Sequence, residues 1–136
     1  MIAAMSGGRE EGRAVTSWRD LVALHARVSE ALERALGDEH RISVSEFEVL
    51  DRLAASPHRK RRIQELADET HLSQSALSRL VGRLEADGLA TRAVCDHDRR
   101  GTWACLTDAG AERHQQAAPT YREVLARTLE PVAPGR

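Results

Sequence analysis

Ser73, Gln74, Ser75, Ser78, Arg79 and Arg83 fall within eleven residues, and together they carry the chemistry of anion contact. Hydroxyls and amides make single hydrogen bonds, whereas a guanidinium presents a fork of donors that fits a phosphate or the O6/N7 edge of guanine. On a helix capped by Ser73, the apolar Ala76, Leu77, Leu80, Val81 and Leu84 take one side. At about 100° per residue, Ser75, Ser78 and Gly82 centre the other side, with Arg79 at its edge. A solvated surface helix carries long Glu and Lys at such positions; small residues let another group approach, with Arg79 reaching past them. The competing reading is ordinary surface pairing, of Arg79 with an acid one turn away and of Arg83 with Asp87.

Two further basic groups flank this helix. Arg59, Lys60, Arg61 and Arg62 form a run suited either to backbone phosphates or to a solvated loop. Asp98, Arg99 and Arg100 lie near the tip of a polar stretch, where Arg99 reads as plain surface. Nothing resembles a catalytic constellation: no G-x-S-x-G turn surrounds the serines, no glycine-rich phosphate loop occurs, and no metal-ligand spacing is present. Neither a cofactor nor a catalytic activity is expected.

The elements that must position these groups follow from periodicity. Residues 1–16 are small, polar and glycine-bearing and read as a flexible leader. Trp18, Leu21, Val22, Leu24, Val28, Leu32 and Leu36 recur at three- and four-residue steps, the stripe of an amphipathic helix stopping near Gly37. Ser43 and Glu46 have capping-box spacing, with Ile42 and Phe47 placed as a hydrophobic staple, so a second helix runs to about Ala55. Ser56-Pro57 ends it. A short helix with Ile63, Leu66 and Ala67, a turn at Thr70 to Leu72 and the helix Gln74 to Asp87 follow, with Gly88 as a left-handed cap. Leu89–Cys95 and Thr102–Leu106 are β-prone and read as a hairpin. A turn symmetric about the tip residues 96–101 sets Cys95 opposite Thr102 and Cys105 opposite Arg92. The last helix restarts at Thr107, is interrupted or kinked at Pro119, and ends at Pro131 and Pro134.

With 136 residues, 41% hydrophobic and 30% charged, the chain suits one globular domain. No apolar run approaches the roughly 18 residues of a membrane span, and the start lacks a signal core, so a cytoplasmic protein is expected. The net charge of −1 hides a division of sign: residues 57–100 hold nine basic and seven acidic side chains, the remainder eleven and fourteen. Only Lys60 of the twenty basic residues is lysine, which favours forked contacts but equally follows from an arginine-rich coding bias.

Short helix, turn, helix with an Arg/Ser face, then a hairpin tipped with arginine is the order of a winged helix-turn-helix, an α+β, mostly α fold suited to duplex DNA. In these parts the chain resembles the MarR (multiple-antibiotic-resistance regulator) family of bacterial transcription factors. The resemblance is carried by Ser43 to Leu50, Glu65 to Ala67, Leu72 to Glu85, Asp87 to Leu89, Asp98 to Arg100 and Leu106 to Gly110, in family order and spacing. It implies a homodimeric, ligand-responsive regulator, a repressor, on a pseudo-palindromic operator of double-stranded DNA. Gln74 to Arg83 would enter the major groove and Arg100 the minor groove, with Asp98 holding that arginine. The parts would be a dimerisation helix at 17–42, a DNA-binding lobe at 43–107 and a C-terminal dimerisation helix and tail at 108–136. Family members usually carry one more long helix, so helix one and Ala111 to Leu129 are expected to supply most of the interface.

Other residues invite narrower readings. Trp18 and Tyr121 either line the small-molecule cleft of such regulators or simply pack. Cys95 and Cys105 could sense oxidants, though no activating neighbour is evident. His25, His40 and His114 could join an acid to bind zinc, but they lack paired spacing. Trp103 is expected to pack on the wing. The rival function is a winged helix kept only for protein interaction or sequestration, which salt-dependent binding to duplex DNA would distinguish.

Overall fold

The structure is a computed structural model that describes residues 2–94 and 101–129. Five helices, α1 (Ile2–His40), α2 (Val44–Ala55), α3 (Ile63–Thr70), α4 (Gln74–Ala86) and α5 (Asp108–Leu129), accompany three strands, β1 (Lys60–Arg62), β2 (Ala90–Val94) and β3 (Thr102–Leu106). Helices predominate, and the sheet is small and antiparallel with order β1-β3-β2. This is the winged helix-turn-helix expected.

Capping chemistry fixes where the elements begin. The Ser43 hydroxyl accepts from Glu46 N at 3.1 Å and the Glu46 carboxylate accepts from Ser43 N at 2.9 Å, while Ile42 and Phe47 are both buried. That is the predicted capping box and staple. His71 closes α3 in the left-handed conformation, φ 58°, and Ser73 Oγ accepts from Ala76 N at 3.1 Å to open α4. Gly88, at φ 75°, turns the chain into β2.

Leu50 and Leu53 of α2, Leu66 of α3, Leu77, Val81 and Leu84 of α4 and Ala104 of β3 form the core that joins α2–α4 to the sheet. Thr107 and Gly110 tie α5 to it. Thr107 Oγ1 donates to Gly88 O at 2.7 Å and accepts from Gly110 N at 3.0 Å. A Cβ on Gly110 would run into the Leu89 carbonyl and lie 2.7 Å from Leu106 Cδ1. Only glycine lets the helix come this close.

Several expectations are corrected. α1 is one helix from residue 2, with no leader that ends at 16, and it passes Gly37 to reach His40. Glycine costs a helix only about 1 kcal/mol per site, and Arg9, Glu10, Glu11, Arg13 and Ala14 are good helix formers. α5 is not interrupted at Pro119; proline forfeits one hydrogen bond, and the buried Ala117, Ala118 and Val124 hold the turns on either side. Lys60–Arg62, expected as a loop or lead-in, is a third strand paired with β3. The hairpin register is also shifted by one: Val94 faces Thr102 and Thr91, not Arg92, faces Cys105.

The C-terminal half of α1 packs along α5 in antiparallel fashion. His40 Nε2 lies 2.8 Å from Thr120 Oγ1, and at the other end Ala31, Ala35 and Arg127 share one hollow. From residue 8 to residue 23 every α1 side chain is exposed.

Candidate nucleic-acid interface

α4 presents the groups that the sequence singled out. Ser73, Gln74, Ser75, Arg79 and Arg83 are exposed and Ser78 is half-buried. The Ser73 cap leaves the first backbone N–H groups of α4 directed outward at the positive end of the helix dipole, an arrangement that favours anions. Among the described residues Arg79 and Arg83 form no ion pair. Arg83 does not take Asp87 as a side-chain partner; the Asp87 backbone N–H donates to the Arg83 and Glu85 carbonyls. Both guanidiniums stand ready for an outside acceptor.

A groove of about 600 Å³ runs between this helix and the sheet. Gln74, Ser75 and Ser78 form one wall, Arg62 and Gln64 another, and Arg92 and Thr102 the third. Arginines meet hydroxyls and amides here, and among the described residues no carboxylate lines it. The hydroxyls and amides of this lining can donate hydrogen bonds to a polyanion.

In the basic run, read either as phosphate contacts or as a solvated loop, Arg59 and Arg61 are paired within the chain. Arg61 is bound to carboxylates: its Nε donates to Glu69 and its Nη1 lies 3.6 Å from Glu65 Oε2. The Glu69 hydrogen bond raises the pKa of this guanidinium, so its charge is permanent and already matched. Arg59 Nη1 sits 3.1 Å from Asp108 Oδ1. Lys60 and Arg62, on the opposite face of β1 from Arg61, each lie 5.3 Å from the Trp103 ring centroid, cation–π contacts that pack Trp103 on the wing as expected.

Arg92, which sequence reasoning passed over, is the main addition. Its Nη1 donates to Ser78 Oγ at 3.2 Å and its Nη2 to the Ser78 carbonyl, while Nε lies 3.6 Å from Glu85 Oε1. A Cβ on Gly82 would lie 3.4 Å from Nη2. The small face of α4 around Ser78 and Gly82 therefore accommodates a guanidinium of the same chain. The signal was present as a lone arginine on a β-prone run opposite Glu85, but nothing local ties it to the helix.

A model of the MarR family matches residues 42–101. The MarR family transcriptional regulator Sco3205 of Streptomyces coelicolor, solved in complex with DNA, matches with a TM-score of 0.80 and 32% identity, covering 84% of this chain and 72% of its own. The chain belongs to the MarR family of transcriptional regulators. AbsC, another MarR family regulator of the same organism, matches at 28% identity over 88% of this chain and 80% of its own, TM-score 0.81. A mutant MarR of E. coli complexed with operator DNA shares the fold at 20% identity, over 87% and 83%, TM-score 0.76. Among curated proteins none matches by sequence.

In this MarR-family chain the remaining candidates are placed as follows. Asp98, Arg99, Arg100 and Cys95 lie outside the described residues, as do Pro131 and Pro134. Trp18 is 65% exposed on α1 and sits 22 residues, about 33 Å of helix, from the His40 end where Tyr121 packs. The two are not brought together within one chain. The Tyr121 ring packs tilted against Phe47, centroids 4.4 Å apart, and its hydroxyl donates to Glu48; burial, reinforced by that carboxylate, raises its pKa. The three histidines make separate contacts: His25 with Ser29, His40 with Thr120 and Glu39, His114 with Asp51 at 2.7 Å. No metal-binding group of three ligands occurs among the described residues. Cys105 is a half-buried free thiol. No helix among the described residues is long and apolar enough to cross a membrane.

Proposed function

We propose that this MarR-family chain is a homodimeric repressor that acts by binding a specific operator in double-stranded DNA and not by catalysis. The carrying observation is the outer face of α4, where Arg79 and Arg83 stand exposed and unpaired beside the Ser73-capped helix start. α4 enters the major groove, Arg79 reads a base edge, and Ser73, Gln74, Ser75 and Arg83 hold phosphates. Sco3205, solved with DNA, supports this reading. Arg100, with Asp98 orienting it, would reach the neighbouring minor groove.

A second copy would cover the apolar stripe Val15, Trp18, Leu21 and Val22, exposed on α1, and place two α4 helices about 34 Å apart on successive groove faces. Small-molecule release of the operator belongs to the same reading.

Selection of bound duplexes from a random library, followed by affinity measurement over a range of salt, tests the proposal. A selected pseudo-palindrome bound with a steep salt dependence is expected; the absence of duplex binding overturns it. Charged substitutions at Trp18 and Leu21 should convert the dimer to monomer in sedimentation, with loss of operator binding.

A further inference from the structure

One row of residues crosses the sheet with an arginine at each end. Arg61 of β1 and Arg92 of β2 both face Ala104 of β3 in register. Each then turns to a different helix of the helix-turn-helix: Arg61 to Glu65 and Glu69 on α3, Arg92 to Ser78 and Glu85 on α4. The sheet is thus clasped to both helices from one cross-strand row.

Arg92 is held from several sides. Its backbone N–H donates to Glu85 Oε2 at 3.2 Å, its Nε faces the other Glu85 oxygen, and both terminal nitrogens engage Ser78. Gly82 leaves room for the guanidinium to lie on the helix. Arg92 is the central residue of β2, so the clasp fixes the outer half of the hairpin, from which the chain leads into the segment containing Asp98, Arg99 and Arg100.

We propose that Arg92 is a positioning residue of the interface. It locks the wing to α4 so that helix and wing meet a duplex in one fixed geometry, and it does not itself contact a phosphate. The inference rests on the DNA-binding reading above. The physical ground is that its charge is matched by Glu85 and its donors are directed at Ser78; a phosphate contact would require breaking that pair. Fixing the wing in advance removes an ordering cost from binding.

The test compares full-length wild type with Arg92→Ala, Arg92→Lys, Glu85→Gln and the Arg92→Ala/Glu85→Gln double variant. Each is measured on the selected operator and on an unrelated duplex from about 50 to about 300 mM salt. Arg92→Ala should weaken operator binding about tenfold with an unchanged salt slope and unchanged affinity for the unrelated duplex. Arg92→Lys should be only partly restored, because an ammonium lacks the fork. Glu85→Gln should show a smaller loss, and the double variant should be no worse than Arg92→Ala. A salt slope lowered by about 1 with equal loss on both duplexes, full rescue by lysine, or tighter binding by Glu85→Gln would make Arg92 a phosphate contact and overturn the proposal. Hydrogen exchange without DNA gives an independent readout: β2 amides should exchange faster in Arg92→Ala, and equal rates would mean that no clasp exists. Wild type that binds no duplex would defeat the DNA reading, while the exchange result would still decide the clasp.

Discussion

Two arginine groups flank the turn of the helix-turn-helix, and they have opposite settings. On the β1 side, Arg59 has Asp108, and Arg61 has Glu65 and Glu69. On α4, Arg79 and Arg83 have no carboxylate partner among the described residues. They also stand four residues apart on one helix, an arrangement of like charges that costs an isolated helix about 0.2–0.5 kcal/mol. Glu85, the acid of α4, lies two residues from Arg83 and six from Arg79, spacings that do not face them on a helix, and it is engaged by Arg92. Arginine count alone would rank the first group higher. What separates the two is the reach of a carboxylate: one group ties the sheet to the helices, and the other is left for an external anion.

The largest test of this contrast is Arg79→Ala. If the guanidinium forks onto a guanine, the change should cost about 1–3 kcal/mol at the selected operator and relax preference at one position in each half-site, with the melting temperature unchanged. Competition binding against operators substituted at single positions checks it. A uniform loss across all sequences would move Arg79 from reading to positioning.

Arg83→Ala should come next. At the edge of the exposed face, Arg83 is placed for phosphate, so its loss should weaken every duplex alike and lower the salt slope by about 1. An unchanged slope would mean that its exposure is idle and would narrow the free group to Arg79.

How far this division was legible in the sequence depends on the range of the interactions involved. The Ser43–Glu46 box, the apolar stripe of α4 and the Ser73 cap are local, within four residues, and appear in the structure as expected. The apolar spacing likewise pointed to the outward direction of Arg79 and Arg83. β1 was not legible, because Lys60–Arg62 becomes a strand only by pairing with β3 some forty residues later, and three successive cations carry no alternation. Separation in sequence also hid Arg92, whose partners on α4 lie up to fourteen residues away. Gly82 was read correctly as a place of close approach, but the approaching group belongs to the chain itself.

Arg61→Ala sharpens the other side of the comparison. With its charge matched by Glu69 and Glu65, Arg61 should behave as a structural residue: the melting temperature falls, while the salt slope and the preference among duplexes stay as in wild type. Removing it also leaves Glu69 with only the looser Arg52 contact at 3.6 Å. Glu69→Gln should therefore lower the melting temperature in the same direction, and the pair of changes should be less than additive. A reduced salt slope in Arg61→Ala would show that the ion pair opens on DNA, and the contrast between the two groups would fail.

The smallest effect is expected at Arg59, where two opposing terms can be separated. Its pair with Asp108 is exposed on both sides, 51% and 103%, so it contributes only about 0–1 kcal/mol and fades with salt. Its backbone works in the other direction: Arg59 follows His58 in the left-handed region, φ 55° and 58°, which a residue with a Cβ adopts at a cost of about 1 kcal/mol. Arg59→Ala removes the pair and keeps the strained backbone, so it should be slightly less stable than wild type at low salt and equal to it at high salt. Arg59→Gly removes the pair and relieves the backbone, so it should be about 1 kcal/mol more stable than Arg59→Ala at every salt concentration. Neither change should alter operator affinity or its salt slope. Thermal melts at low and high salt, paired with binding at the same concentrations, measure both terms. A lowered slope in both variants would make Arg59 a phosphate contact whose pairing with Asp108 gives way on DNA, and the β1 group would then share the role of α4.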